Sequence, residues 1–173
     1  HHRKQCKALI LGIGGSNGKT TTKELVSAVL NTQYKIQFTK GNLNNHIGVP
    51  LTLLRLNASH DLAIIEMGAN KPGDIAELCN IADPTHGIIT NIGKAHLEGF
   101  INFEGVLKTK TELYASVQQK GGVLFACMDD SILMNACQNY PLPLITFGSH
   151  LAQVQKKRLL ALGQVSWFSF FSY

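Results

Sequence analysis

Along the chain, short and nearly continuous apolar runs alternate with longer stretches that place apolar residues every three or four positions. Residues 7–13 form the first apolar run and predict a strand. Residues 19–31 carry helical spacing, and Tyr34–Thr39 alternates as a second strand. The segment Lys40-Gly41-Asn42-Leu43-Asn44-Asn45 fits neither period and predicts a loop. Ile47–Leu56 predicts a short helix, with Pro50 tolerated in its first turn. Asp61–Met67 predicts a buried strand. Pro72 and Gly73 open the next helix, whose apolar positions Ile75, Leu78, Cys79 and Ala82 keep a helical period. Strands at His86–Ile92, Val123–Cys127 and Leu144–Phe147 alternate with helices at Phe103–Gln119 and 130–139, the first stopped by Gly121-Gly122. This repetition predicts an α/β fold: a mostly parallel sheet with helices on both faces.

In such sheets ligands bind beyond the carboxyl ends of the strands. The first strand runs into Gly12-Ile13-Gly14-Gly15-Ser16-Asn17-Gly18-Lys19-Thr20-Thr21, and a helix follows. Strand, glycine-rich loop and helix is the layout of a phosphate-binding loop. Glycines let the backbone curl until several N–H groups face one anion, and the helix N-terminus adds partial positive charge there. Lys19 can reach terminal phosphates, and the Thr20 hydroxyl is placed for Mg²⁺. Ile13 breaks the strict G-x-x-x-x-G-K-[ST] spacing, so a plain glycine-rich turn stays open on this stretch alone.

Composition narrows the reading without changing it. The 173 residues suit one domain, and 45% apolar against 16% charged residues argues against disorder. A net charge of +5 favours anionic ligands. There is no basic run with interleaved aromatics, so no nucleic-acid partner is expected. No apolar stretch approaches membrane-spanning length, so no membrane insertion is expected. Cys6, Cys79, Cys127 and Cys137 form no C-x-x-C pair and sit in apolar patterns. They read as reduced core thiols of a cytoplasmic protein.

Other strand ends supply further candidates. Glu66 ends the third strand, where a carboxylate can reach Mg²⁺ near loop phosphates or simply cap the next helix. Asn91 ends the fourth strand. His96 follows in Asn91-Ile92-Gly93-Lys94-Ala95-His96 and reads either as a second Mg²⁺ ligand or as a solvated loop histidine. Asn42, Asn44 and Asn45 form turns or line a substrate pocket. Lys108 and Lys110 lie on the long helix, where solvated lysines are the default. His46, His60 and His86 carry no assigned task.

Four blocks of residues resemble one family: GSNGKTTTKEL (15–25), TKGNLNNHIGVPLTLL (39–54), IIEMGANKPGDIAELC (64–79) and PTHGIITNIGKAHLEGF (84–100). A weaker fifth is FEGVLKTKTELY (103–114). Together they are similar to the central, P-loop-containing ATP-binding domain of the Mur ligases. The phosphate loop and the strand-end Glu and His are shared across that family and with folylpolyglutamate synthases. The Glu-Met-Gly-Ala-Asn and Gly-Asn-Leu-Asn-Asn-His-Ile-Gly-Val-Pro strings resemble the branch that adds D-Ala-D-Ala to UDP-MurNAc-tripeptide in peptidoglycan synthesis.

The resemblance implies roles. ATP would lie against Gly15, Ser16, Asn17, Gly18, Lys19, Thr20 and Thr21, with Lys19 on the β- and γ-phosphates. Thr20 and Glu66 would hold one Mg²⁺ and His96 a second, with Asn91 lining the same site. Lys110, identified by the following Leu113-Tyr114, matches a lysine that Mur ligases carbamylate. Asn42, Asn44 and Asn45 would face the peptide substrates. The implied reaction runs through an acyl phosphate, which the amine of D-Ala-D-Ala then attacks.

Some positions depart from the family pattern. Gly14 stands where Thr is usual, Thr111 where Gly is common, and Cys127-Met128-Asp129-Asp130 where Asn-Ala-Asp-Asp is common. None removes a group assigned above. Residues 1–7 read as a linker or tag remnant, 8–149 as the central domain, incomplete at its C-terminal end, and 150–173 as a divergent, aromatic-rich tail or further strand. The N-terminal UDP-sugar domain and the C-terminal domain of whole ligases are expected outside these residues. The chain alone is therefore expected to be inactive in ligation. Alternative readings are a nucleotide- and Mg²⁺-binding module that turns nothing over, or another amide ligase of the Mur or folylpolyglutamate-synthase type. A P-loop kinase or GTPase would leave the Asn-rich and His96 blocks unexplained.

Overall fold

The structure, a computed structural model, describes residues 2–93 and 102–149. Its strands are β1 (Leu9–Gly14), β2 (Ile36–Phe38), β3 (Leu62–Glu66), β4 (His86–Ile89), β5 (Val123–Cys127) and β6 (Leu144–Phe147). They form one sheet in the order β2-β3-β1-β4-β5-β6, and each neighbouring pair is parallel. The expected mostly parallel sheet is thus wholly parallel among the described strands. The helices are α1 (His2–Gln5), α2 (Lys19–Leu30), α3 (Gly48–Leu53), α4 (Asp74–Ala82), α5 (Phe103–Gln119) and α6 (Ser131–Cys137).

Helices cover both faces, as the β-α repetition predicts. On one face, Ile10, Ile65, Met67, Ile89 and Leu124 of the sheet and its strand ends pack with Val49, Leu78, Leu113 and Leu133 of α3 to α6. On the other, Ile13, Leu62 and Ile64 pack under Val26 and Leu30 of α2. The strand β3 is buried along its whole length, which explains why it reads as a continuous apolar run.

Two glycines let α5 lie close to the sheet. A Cβ at Gly12 would stand 2.8 Å from Leu113 Cδ1, and one at Gly87 would stand 3.1 Å from Val117 Cγ2. Leu113 is fully buried there. Truncating such a leucine to alanine costs about 2–5 kcal/mol. Less than a turn earlier on α5, Lys110 is carried to the C-terminal edge of the sheet. The helix stops where sequence predicts: Gly121 takes φ 62°, and Gly122 N–H donates to Val117 O at 3.1 Å.

The segment expected as a linker carries the turn α1. Arg3 anchors it, with Nε donating to Ala82 O at 3.0 Å and Nη1 to Cys6 O at 2.7 Å. All four cysteines are free thiols, and Cys6, Cys79 and Cys137 are buried. Burial pushes the Cys79 thiol up to about 12, which makes it unreactive at neutral pH. Among the described residues, no helix is long and apolar enough to cross a membrane. The expectations for the 150–173 tail lie outside the described residues.

Candidate nucleotide and substrate cleft

The register of the sheet builds the site. Ile13 of β1 pairs with Glu66 of β3, and Gly14 pairs with Ile89 of β4. The chain leaves β1 toward β2 and leaves β4 toward β5. The loop after β1 therefore opens at the point where the strand order reverses, the usual ligand position in such sheets.

That loop is held by the residues that follow β4. Gly15 takes φ 127°, and a Cβ there would collide with Thr90 Oγ1. Thr90 Oγ1 donates to Asn17 O at 2.6 Å. The Asn91 side chain grips the same residue twice. Its Oδ1 accepts Asn17 N–H at 3.1 Å, and its Nδ2 donates to Asn17 O at 3.2 Å. Ser16 N–H donates to Asn91 O at 3.0 Å, and Ser16 Oγ accepts Gly93 N–H at 3.0 Å. Gly18, at φ 77°, turns the chain into α2. The result is a fixed curl of backbone at a helix N-terminus, the geometry that binds phosphate oxygens. Lys19 folds along this curl, and its Nζ donates to Gly15 O and Ser16 O, both at 2.9 Å. Burial lowers the Lys19 pKa, and the Glu66 carboxylate offsets part of that effect.

Glu66 is 1% exposed, with donors from several elements converging on it. Its Oε1 accepts the Thr20 hydroxyl at 3.1 Å and Asn44 Nδ2 at 2.8 Å. Its backbone N–H donates to Thr39 Oγ1 at 3.0 Å. Its Oε2 is buried without a hydrogen-bond partner and lies 3.6 Å from Lys23 Nζ. A buried carboxylate beside a hydroxyl at a phosphate loop is a hard-oxygen donor set, and the orphaned oxygen leaves it capacity to bind. These residues fit Mg²⁺, which takes one or two protein oxygens and completes its shell with water and phosphate.

A cleft of about 310 Å³ separates the loop from α4 and α5. Ser16, Lys19, Asn44 and Asn45 line one side, and Asp74, Glu77 and Lys110 the other. Lys110 is 5% exposed. Burial, and then the positive charge of Lys19, bring its pKa down to about 8 against the opposing pull of Asp74 and Glu112. Glu112 spans the helices: Oε1 accepts Gly73 N–H and Oε2 accepts Ala76 N–H, both at 2.9 Å, at the start of α4. Asp74 Oδ2 accepts the N–H groups of Asn70 and Lys71, at 2.9 and 3.1 Å.

Most candidates from the sequence come together here. Lys19, Thr20, Glu66 and Asn91 surround the loop, and Asn44, Asn45 and Lys110 reach the cleft. Asn45 also folds the turn into α3, its Oδ1 accepting Ile47 and Gly48 N–H at 3.1 and 2.9 Å. Asn42 is exposed and does not line the cleft. Lys110 is buried rather than solvated, because Gly12 and Gly87 let α5 sink onto the sheet. His46, which had no assigned task, lines the cleft. His96 lies outside the described residues. Thr39 was expected at a strand end on this edge without an assigned task, and sequence reasoning passed over Thr90 and Lys23. Lys23 shares with Ser27 the buried stripe of α2.

A wholly parallel sheet with a glycine-rich loop at the end of β1 and a buried carboxylate at the end of β3 defines a phosphate-loop α/β domain. The chain belongs to the Mur ligases: the family's middle-domain model matches residues 13–169. It is 43% identical over 131 residues to the UDP-N-acetylmuramoyl-tripeptide–D-alanyl-D-alanine ligase of Bacillus subtilis, covering 75% of this chain and 28% of that protein. Among solved structures it is similar to MurF from Acinetobacter baumannii, with TM-score 0.78, 33% identity, and coverage of 86% of this chain and 33% of that one. It is equally similar to MurF from Thermotoga maritima in complex with ADP, with TM-score 0.78, 32% identity, and coverage of 87% and 36%. The chain thus spans roughly a third or less of the length of these relatives.

Proposed function

We propose that the protein carrying this chain is an ATP-dependent ligase that joins D-Ala-D-Ala to UDP-MurNAc-tripeptide in the cytoplasm. The observation that carries this reading is one arrangement. Lys19 and Asn44 face Lys110 across a single cleft, with Asn44 and Thr20 both hydrogen-bonded to Glu66, in a chain 43% identical to a ligase of that specificity.

ATP is the phosphate donor, cradled by the N–H groups of residues 15–21. Lys19 leaves the carbonyls of Gly15 and Ser16 for the β- and γ-phosphates and holds their charge. An oxygen of the substrate carboxylate attacks the γ-phosphorus, ADP leaves, and an acyl phosphate forms. The amine of D-Ala-D-Ala then attacks the acyl carbon. It loses a proton, inorganic phosphate leaves, and the amide remains. Mg²⁺ would be held by Thr20 and Glu66, with His96 and Asn91 at a second ion, and would supply neutralisation of phosphate charge. Asn44 and Asn45 orient the peptide substrates, and positioning within the cleft contributes much of the rate. Lys110, with a pKa of about 8, has a neutral fraction at physiological pH. A neutral amine adds CO₂ with loss of a proton, which converts the cation into a carbamate beside the cleft.

The test is formation of ADP and phosphate by the protein that carries this chain. Turnover is expected only when ATP, Mg²⁺, UDP-MurNAc-tripeptide and D-Ala-D-Ala are all present. Robust turnover with a different acceptor amine would sink the assignment.

A further inference from the structure

Lys23 is fully buried, yet the reaction above gives it no task. Its Nζ reaches out of α2 to two neighbouring elements. It donates to Gly41 O at 3.0 Å, in the loop after β2. It faces Glu66 Oε2 at 3.6 Å, at the end of β3, and pairs with Glu24 Oε1 at 3.0 Å on its own helix. The loop it touches is the Asn-rich one. That loop is held at its far end by the same carboxylate, through Asn44 Nδ2 on Glu66 Oε1 at 2.8 Å, and by Gly68 N–H on Asn44 O at 2.7 Å.

We propose that Lys23 is a positioning residue that couples the cation-binding carboxylate to the substrate loop. Its charge faces the one oxygen of Glu66 that has no hydrogen bond, which turns the other oxygen toward Thr20 and Asn44. Its hydrogen bond to Gly41 pins the start of the loop whose end Glu66 holds. A buried pair of this kind adds little net stability over an apolar pair of the same shape, so its effect lies in orientation. The carboxylate and residues 41–45 then keep one arrangement, and the loop stays ordered against the cleft while the cation exchanges. The cation arm of this inference rests on the reading of Glu66 as a Mg²⁺ ligand; the loop arm does not.

The experiment uses the protein carrying this chain with Lys23→Met, Lys23→Arg, Glu66→Gln and the double variant Lys23→Met/Glu66→Gln. Amide hydrogen exchange is followed across residues 40–46, and ADP affinity is measured at increasing Mg²⁺. Lys23→Met is expected to speed exchange in the loop about tenfold or more. It is also expected to raise the Mg²⁺ needed for half-maximal enhancement of ADP binding about tenfold, while Mg²⁺-free ADP affinity stays within about twofold. Lys23→Arg is expected to recover most of both effects. Wild-type loop exchange in Lys23→Met, or a wild-type Mg²⁺ requirement, overturns the proposal. If Lys23→Met does not fold, the double variant, which buries no lone charge, decides: fast loop exchange supports the tether and wild-type exchange overturns it. Unchanged Mg²⁺ dependence in Glu66→Gln would sink the cation reading of the preceding section and leave the exchange arm to decide Lys23.

Discussion

The two walls of the cleft are built by different physics. The phosphate-loop wall is made of backbone: residues 15–18 are curled by two left-handed glycines and clamped by Thr90 and Asn91. The opposite wall is made of side-chain charge: Lys110, Asp74 and Glu77 are set on α4 and α5, and Glu112 ties the two helices by accepting the Gly73 and Ala76 N–H groups. The lysines show the consequence. Lys19 lies against carbonyls of its own loop, within reach of the attraction of Glu66, and is held to bind charge that arrives. Lys110 sits where burial and Lys19 outweigh its carboxylate neighbours, and its amine is poised between two forms. A wall of backbone presents a fixed binding surface. A wall of buried side-chain charge can change state.

Four substitutions would break or sharpen this contrast. Lys19→Ala should weaken MgATP binding on the order of 100-fold, because hydrogen bonds to charged groups contribute about 1.5–3 kcal/mol each and the β- and γ-phosphates are both contacted. Titration calorimetry reads it, and a change below threefold would contradict the role given to Lys19. Gly15→Ala should cost about 2–4 kcal/mol of folding stability, since the added Cβ meets Thr90 and the backbone is left-handed there. An unchanged denaturant midpoint would mean that the loop is not rigid.

Lys110→Met probes the other wall through pH. The native pKa of about 8 lies below the unfolded value of about 10.4. The unfolded state therefore binds more protons between those values, and wild-type stability rises with pH across that window. Below pH 8 the wild type carries the full cost of a buried ammonium. The methionine variant should then be the more stable by roughly 2–3 kcal/mol at pH 7, with the difference closing toward pH 10.5. A difference that stays constant with pH would show that burial does not perturb this amine. The smallest effect is expected from Glu112→Ala, which leaves Gly73 and Ala76 N–H without their acceptor. About 1 kcal/mol of stability should be lost, with faster exchange at the start of α4 and ADP affinity unchanged.

Much of this architecture was legible in the residues, because strand and helix each write their own period. The fully buried β3 reads as an apolar run, and α4 and α5 show their stripes and their glycine stop. The phosphate-loop wall was legible too, because glycine at fixed offsets is a direct statement about backbone. The opposite wall was harder. The depth of Lys110 depends on Gly12 and Gly87, which lie 98 and 23 residues earlier in the chain and form a shelf for α5 only after the strands pair. The clamp of Thr90 on Asn17 likewise depends on strand order, which periodicity does not encode. Lys23 was overlooked because a lysine on a helix ordinarily points to water. Its place in the buried stripe with Ser27 becomes visible only when β3 lies beneath it.

The central claim is that the loop presents a γ-phosphate to a substrate carboxylate. It is tested most directly by following oxygen. The protein carrying this chain is supplied with ATP, Mg²⁺, D-Ala-D-Ala and UDP-MurNAc-tripeptide labelled with ¹⁸O in its terminal carboxylate, and the released phosphate is analysed by mass. An acyl phosphate predicts that each phosphate released carries one labelled oxygen from the carboxylate. Unlabelled phosphate formed alongside ligated product would contradict the account.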